Sequence, residues 1–154
     1  MRVIIYSIIF LIVSGCGFKI INQSESQRYK ISDVELKGEK RINYFIKNRL
    51  LKKSSNGNLN NEIALFVNTK KNKIIKEKNI KNEITKYEIT ITSNIVAKLA
   101  KNNTYEFTVS DNGDYAVSEQ NSTTINNEKK LIRILSQNIA DKIIKELDFT
   151  INDL

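Results

Sequence analysis

The chain has 154 residues, with 25 Lys and Arg against 17 Asp and Glu, a formal net charge of +8, one Cys, no His, no Pro and no Trp. Without His, and with a single Cys, it cannot assemble a Ser-His-Asp or Cys-His catalytic group, a His-containing zinc site or a CxxC redox pair. It also lacks GxxxxGK[ST] and GxGxxG, so no phosphate-cradling loop is encoded.

The first stretch, MRVIIYSIIFLIVSGCGF, begins with Arg2 and continues as an apolar run from Val3 to Val13. A spanning helix needs about 20 apolar residues, and this run falls well short of that. A basic start, a short apolar core and the small residues Ser14 and Gly15 form an export signal, expected to be removed. Cys16 follows at once, and Val13-Ser14-Gly15-Cys16 fits a bacterial lipobox at every position. A chance Cys after an ordinary signal is the plainer alternative, but the only thiol of the chain is the one that fits. Acylation there would leave residues 1–15 as a discarded leader and Cys16 as a membrane anchor, each buried CH₂ contributing about 0.8 kcal/mol. Gly17, where an Asp would resemble an inner-membrane retention signal, leans towards the outer membrane.

Removal of the leader takes the basic residues from 25 to 24 against 17 acids, a balance of +7 over 139 residues. That length suits one domain with a real core. The surplus of Lys accompanies many Ile and Asn, the bias of an AT-rich genome, so it does not by itself select an anionic partner. Residues 16–28 are polar and irregular, and read as the lipidated terminus and its tether to a single domain over 29–154.

Tyr29 to Leu36 reads as a strand, with Ile31 followed by Val34 and Leu36. Gly38 breaks it, and Ile42, Phe45, Ile46 and Leu50 then form the stripe of an amphipathic helix from about Glu39 to Lys53. Acids at its start and Lys/Arg at its end suit the helix dipole. Residues 54–61, SSNGNLNN, are a loop signal. Ile63, Leu65 and Val67 alternate as a second strand, and its continuation KKNKIIKEKNIKN reads as an edge strand or exposed loop. Lysines there protect an open edge from recruiting another chain, or else contact a polyanion.

The strongest strand pattern lies in residues 84–101, where Tyr87, Ile89, Ile91, Ser93, Ile95, Ala97 and Leu99 share one face. At about 3.3 Å per residue the thirteen residues from Tyr87 to Leu99 would span roughly 43 Å. A turn at Asn102-Asn103 leads into Tyr105, Phe107 and Val109, an antiparallel hairpin. Asp111-Asn112-Gly113-Asp114 reads as a turn or bulge, and Glu119 to Asn127 as loop. Ile132, Leu135, Ile139, Ile143 and Leu147 place a final helix at about Ile125 to Leu147. This order predicts an α+β fold: a mixed, mainly antiparallel four-stranded sheet with two helices on one face and a more polar opposite face. Glu62, Glu77, Glu83, Glu88 and Asp111 are not spaced as an acid/base pair, so no enzymatic activity, cofactor or metal is expected.

Cys16-Gly17-Phe18, the strand running directly into a basic helix, the hairpin TKYEITITSNIVAKLAKNNTYEFTV and the terminal IADKIIKEL together resemble the LptE family of lipopolysaccharide-assembly lipoproteins. The resemblance covers nearly all of the chain after the leader and lies in hydrophobic pattern and element order. It implies an outer-membrane lipoprotein on the periplasmic side that plugs the β-barrel LptD in a 1:1 complex and assists lipopolysaccharide insertion at the outer leaflet. Lys70, Lys71, Lys73, Lys76 and Lys78 are candidate lipopolysaccharide contacts, chosen for density alone; charge-assisted bonds to lipid phosphates would be their chemistry. The alternative is a lipid-anchored periplasmic module that binds a small lipid or cell-wall fragment in an apolar pocket beneath the helices. Nucleic-acid binding would require a cytoplasmic protein, which the export signal opposes.

Overall fold

The computed structural model describes residues 29–54, 62–99 and 103–152. Cys16, the leader and the tether lie outside them, as does most of the loop predicted at 54–61. The elements are β1 (Lys30–Lys37), α1 (Lys40–Ser54), β2 (Glu62–Lys78), β3 (Ile84–Leu99), β4 (Thr104–Ala116) and α2 (Asn121–Asn152). The sheet runs in the order β1-β2-β3-β4, with β1 parallel to β2 and the other pairs antiparallel. This is the predicted α+β architecture, with one parallel pair joined through α1.

β1 explains a sequence oddity. Ile31 and Val34 are three residues apart, yet both are buried. A register shift between Ile31 and Asp33 inserts the extra residue that returns Val34 to the core face. At the other end of α1, the buried Ser54 hydroxyl accepts the Ile31 N–H at 2.6 Å, closing the crossover. Ile42, Ile46 and Leu50 are fully enclosed, as their spacing predicts. The acid expected at the helix start is Glu39, one residue before α1, whose carbonyl accepts the Asn43 N–H at 3.0 Å.

The core lies between the helices and one sheet face. It takes Ile63, Leu65 and Val67 from β2, Ile89, Ile91, Ile95 and Ala97 from β3, Val109 and Tyr115 from β4, and Ile132, Leu135, Ile139, Ile143 and Leu147 from α2. Two polar members of β2 and β3 satisfy each other: the Thr69 and Ser93 hydroxyls are 3.0 Å apart and buried. Tyr29, 1 % exposed, donates its hydroxyl to the Ile144 carbonyl at 3.4 Å. Burial, and then the Asp148 carboxylate, push that hydroxyl far above its ordinary pKa.

Two expectations are corrected. Asp111 to Asp114 form no turn, because β4 continues in register through them, pairing Asp111 with Ile91, Asn112 with Thr90, Gly113 with Ile89 and Asp114 with Glu88. Gly113 serves packing instead. A Cβ there would come within 2.9 Å of the Leu131 side chain of α2. The second correction is the predicted loop at Glu119 to Asn127, since α2 begins at Asn121. Its first turn is held by the Gln120 carbonyl, which accepts the Thr123 and Thr124 N–H groups, and by the Thr124 hydroxyl, which accepts the Ser118 N–H at 2.8 Å.

The elements differ in reach. β1 ends where Lys37 pairs with Asn68, and the turn into α1 starts there, so α1 covers only the lower half of the sheet. β2 runs on to Lys78, with β3 on one side and, among the described residues, no strand on the other. Lys70 to Lys78 are all exposed. The lysine-rich stretch is therefore an edge strand, one of its two predicted forms, and at about 3.3 Å per residue all of β2 spans roughly 55 Å.

Candidate interaction surface

Among the described residues, the surfaces without a covering strand or helix include the sheet face opposite the helices, the free edge of β2 and the β2–β3 tip. On the open face the register aligns Asn68, Asn94 and Thr108 in one row and Lys70, Thr92 and Ser110 in the next. Thr108 donates to the Asn94 side-chain oxygen at 3.0 Å, and the Thr92 and Ser110 hydroxyls are 3.3 Å apart. Half-buried Phe66 and Val96 interrupt these rows towards the lower end, beside Glu106. The result is a long surface of hydroxyls and amides with charges of both signs.

The five lysines singled out by density do not form one patch. Alternation sends Lys71 and Lys73 to the helix side, and each reaches a carboxylate near a helix start: Lys71 to Glu39 at 2.8 Å and Lys73 to Glu128 at 2.8 Å. Lys73 also lies 4.3 Å from the Tyr87 ring centroid and 5.3 Å from that of Tyr115, rings that stack at 5.7 Å. The Tyr115 hydroxyl donates to the same Glu128 carboxylate at 2.8 Å. Burial works against a charged Glu128, but the bonds from Lys73 and Tyr115 outweigh it and hold its pKa below the usual carboxylate range. This cluster ties the overhanging half of β2 to α2. It leaves Lys73 with its charge already answered.

Lys76 sits at the strand irregularity after Ile75 and bridges Glu88 and Asp114, both at 3.3 Å. Lys78 donates to the Asn82 side chain at 3.0 Å and has no carboxylate partner among the described residues. Lys70 has no ion pair among them either. Lys70 and Lys78 thus retain free charge, whereas Lys71, Lys73 and Lys76 are engaged internally. No sequence signal marks Glu128 and Tyr115 as partners of Lys73, because the contacts span 55 and 42 residues of chain and depend on the start of α2 lying beside β2.

Other charge contacts join the helices. Arg49 grips Asp141 with both prongs, at 2.9 and 3.0 Å, and Lys53 reaches the same carboxylate at 3.0 Å. Burial opposes ionisation of Asp141, yet the bonds from Arg49 and Lys53 prevail and lower its pKa. Among the described residues no group of three acids or other metal ligands converges, and no helix is long and apolar enough to cross a membrane.

No protein-family model matches the chain, and no curated protein matches it. Solved structures do. The crystal structure of rare lipoprotein B from Shewanella oneidensis superposes with a TM-score of 0.61 at 13% identity, covering 79% of this chain and 97% of that one. A minor lipoprotein of Acinetobacter baumannii gives a TM-score of 0.59 at 16% identity, over 80% of this chain and 92% of its own. Lipoprotein B of Nitrosomonas europaea gives 0.51 at 15% identity, over 88% and 93%. The fold of this chain is one found among bacterial lipoproteins.

Proposed function

We propose that this chain is a non-enzymatic lipoprotein of the bacterial outer membrane, anchored through Cys16 on the periplasmic side. It seats 1:1 within a large β-barrel and assists lipopolysaccharide insertion, as the resemblance to the LptE family implies. The observation that carries this reading is the uncovered hydroxyl and amide face, running the length of a fold shared with bacterial lipoproteins. Wide outer-membrane barrels have polar lumens, and a surface rich in Thr, Ser and Asn side chains can pair with such a wall, which must also supply a partner for the free Lys70. Length supports it too: β2, at roughly 55 Å, exceeds the 40–45 Å of a whole bilayer, so the domain is long enough to fill a barrel from rim to rim.

The alternative of a pocket for a small lipid draws no support from the helix–sheet interface. Ile42, Ile46, Leu50, Ile89, Ile91 and Ile139 fill it at 0 % exposure. Affinity purification of the full chain from gently solubilised membranes tests the proposal. A large outer-membrane barrel protein recovered in equal amount is the expected result, and a free monomer under conditions that keep outer-membrane complexes intact would refute it. Labelling with a fatty-acid analogue tests the anchor: Cys16→Ser abolishes incorporation if Cys16 is acylated, and undiminished labelling removes it.

A further inference from the structure

The β2–β3 connection is a tightly built turn that ends in an apolar side chain facing solvent. Asn79 organises it. Its side-chain oxygen accepts the N–H groups of Lys81 and Glu83, at 2.9 and 3.0 Å, while its amide donates to the Glu83 carboxylate at 2.7 Å. Asn82 adopts φ 64°, a left-handed conformation Asn tolerates, and its side chain takes the Lys78 ammonium. A turn fixed by this many bonds has no freedom to fold Ile80 back. Ile80 is 104 % exposed, and Ile74 and Ile75 are 49 and 48 % exposed just below it.

We propose that this tip inserts into the headgroup boundary of an anionic lipid layer. The arrangement of the apolar groups favours a fluid surface over a protein partner. Ile74 and Ile75 are successive strand residues and point to opposite faces of the sheet, with Ile80 at the apex, so apolar surface wraps around the end of the hairpin. A docking protein covers one side of such an end. A lipid layer surrounds it.

Charge follows the same pattern. Residues 74–86 hold four Lys and two Glu. Glu77 is answered by Lys86 at 3.0 Å, Lys76 is spent on Glu88 and Asp114, and Glu83 is held by the Asn79 amide. Lys78 and Lys81, flanking Ile80, keep their charge without a carboxylate partner among the described residues, and their long stems allow the ammonium groups to stay at headgroup level while Ile80 goes deeper. The inference rests on the tip alone and does not require the barrel.

The chain contains no Trp, so Ile80→Trp in the full chain gives a single indole at the apex, and Tyr44→Trp gives a control at an exposed site on α1. With vesicles of phosphatidylcholine and phosphatidylglycerol, the Ile80→Trp emission shifts to the blue and becomes accessible to lipid-borne quenchers, while the Tyr44→Trp emission stays that of an aqueous indole. Phosphatidylcholine alone gives little shift. Lys78→Gln and Lys81→Gln each lower the ratio of inserted to aqueous indole about fivefold, the effect of about 1 kcal/mol per Lys at an anionic surface. An Ile80→Trp emission unchanged by anionic vesicles, or an equal shift in phosphatidylcholine, overturns the proposal. Because the readout is local, a chain brought to the vesicle by its N-terminal segment alone scores as unchanged. Barrel co-purification of Ile80→Trp tells that failure apart from failure of the plug role.

Discussion

Gly38→Ala probes the corner where β1 leaves the sheet and α1 begins. Gly38 has φ 122°, in the region L side chains rarely adopt, and an added Cβ would overlap the Thr69 carbonyl oxygen while lying 3.2 Å from its carbon. Backbone strain of this kind costs about 1–3 kcal/mol, and forcing an atom into filled space adds about 1–3 kcal/mol. Restricting the unfolded chain returns about 0.4–1 kcal/mol. The obstacle is unyielding, since Thr69 is paired to Ser93 in β3 and its hydroxyl bonds the Ser93 hydroxyl in the core. A net loss of about 1–5 kcal/mol follows, centred on ~3 kcal/mol, a large share of the 5–15 kcal/mol typical of a domain and equivalent at that centre to about 10 °C in Tm. Thermal and urea unfolding followed by circular dichroism measure it. Gly113→Ala is the comparison, because its Cβ would crowd the end of the Leu131 side chain at 2.9 Å, with Leu135 at an ordinary 3.6 Å and without a positive φ, and about 1 kcal/mol is expected. A Gly38→Ala midpoint equal to wild type, or a ranking with Gly113→Ala the worse, would refute the described geometry of the corner.

Ser54→Ala strands the buried Ile31 N–H and is expected to cost about 1–3 kcal/mol, read by the same unfolding curves; Ser54→Thr, which keeps the hydroxyl, should recover part of it. Acid is expected to weaken the fold through Asp141 and Glu128. Both have lowered pKa values in the folded chain, so the stability they contribute is fully present above the unfolded carboxylate range near pH 4 and is lost as pH falls through their folded values. Asp141→Asn should flatten the stability profile below about pH 4, and an unchanged acid limb would show that the Arg49 contact is not formed in solution.

Much of the fold is legible because period-2 alternation is strong where one sheet face is buried. Ile89 to Ala97 and Ile63 to Val67 announce their strands, and Ile42, Ile46 and Leu50 their helix. The bulge at Ser32 is visible only as a skipped beat between Ile31 and Val34. Asp111 to Asp114 mislead because Asp, Asn and Gly favour turns locally. Their strand conformation is set by partners distant in sequence: β3 on one side, and α2, whose Asn138 and Lys142 bind the Asp111 carboxylate at 2.9 and 2.7 Å. The start of α2 is hidden for a related reason. Its first turns lie over the upper sheet, beyond the reach of α1, and need few apolar residues. For the lysines, composition reveals density but not pairing. Which charges remain free depends on strand parity and on Glu39, Glu128, Glu88 and Asp114, none of them adjacent in sequence.

The parallel pairing of β1 with β2 has a mechanical consequence. A pull transmitted through the residues before Tyr29 enters β1 at its N-terminal end and acts along its axis, against the neighbouring strand. Loaded in that direction, the bonds from Lys30 to Lys37 are sheared together; a hairpin tugged at its open end would lose them one after another. Tyr29, enclosed and held by Ile144, sits at the point where the force arrives. If the chain is anchored through Cys16 as proposed, the strand that takes the pull is thus built like a lap joint, loaded along its whole length.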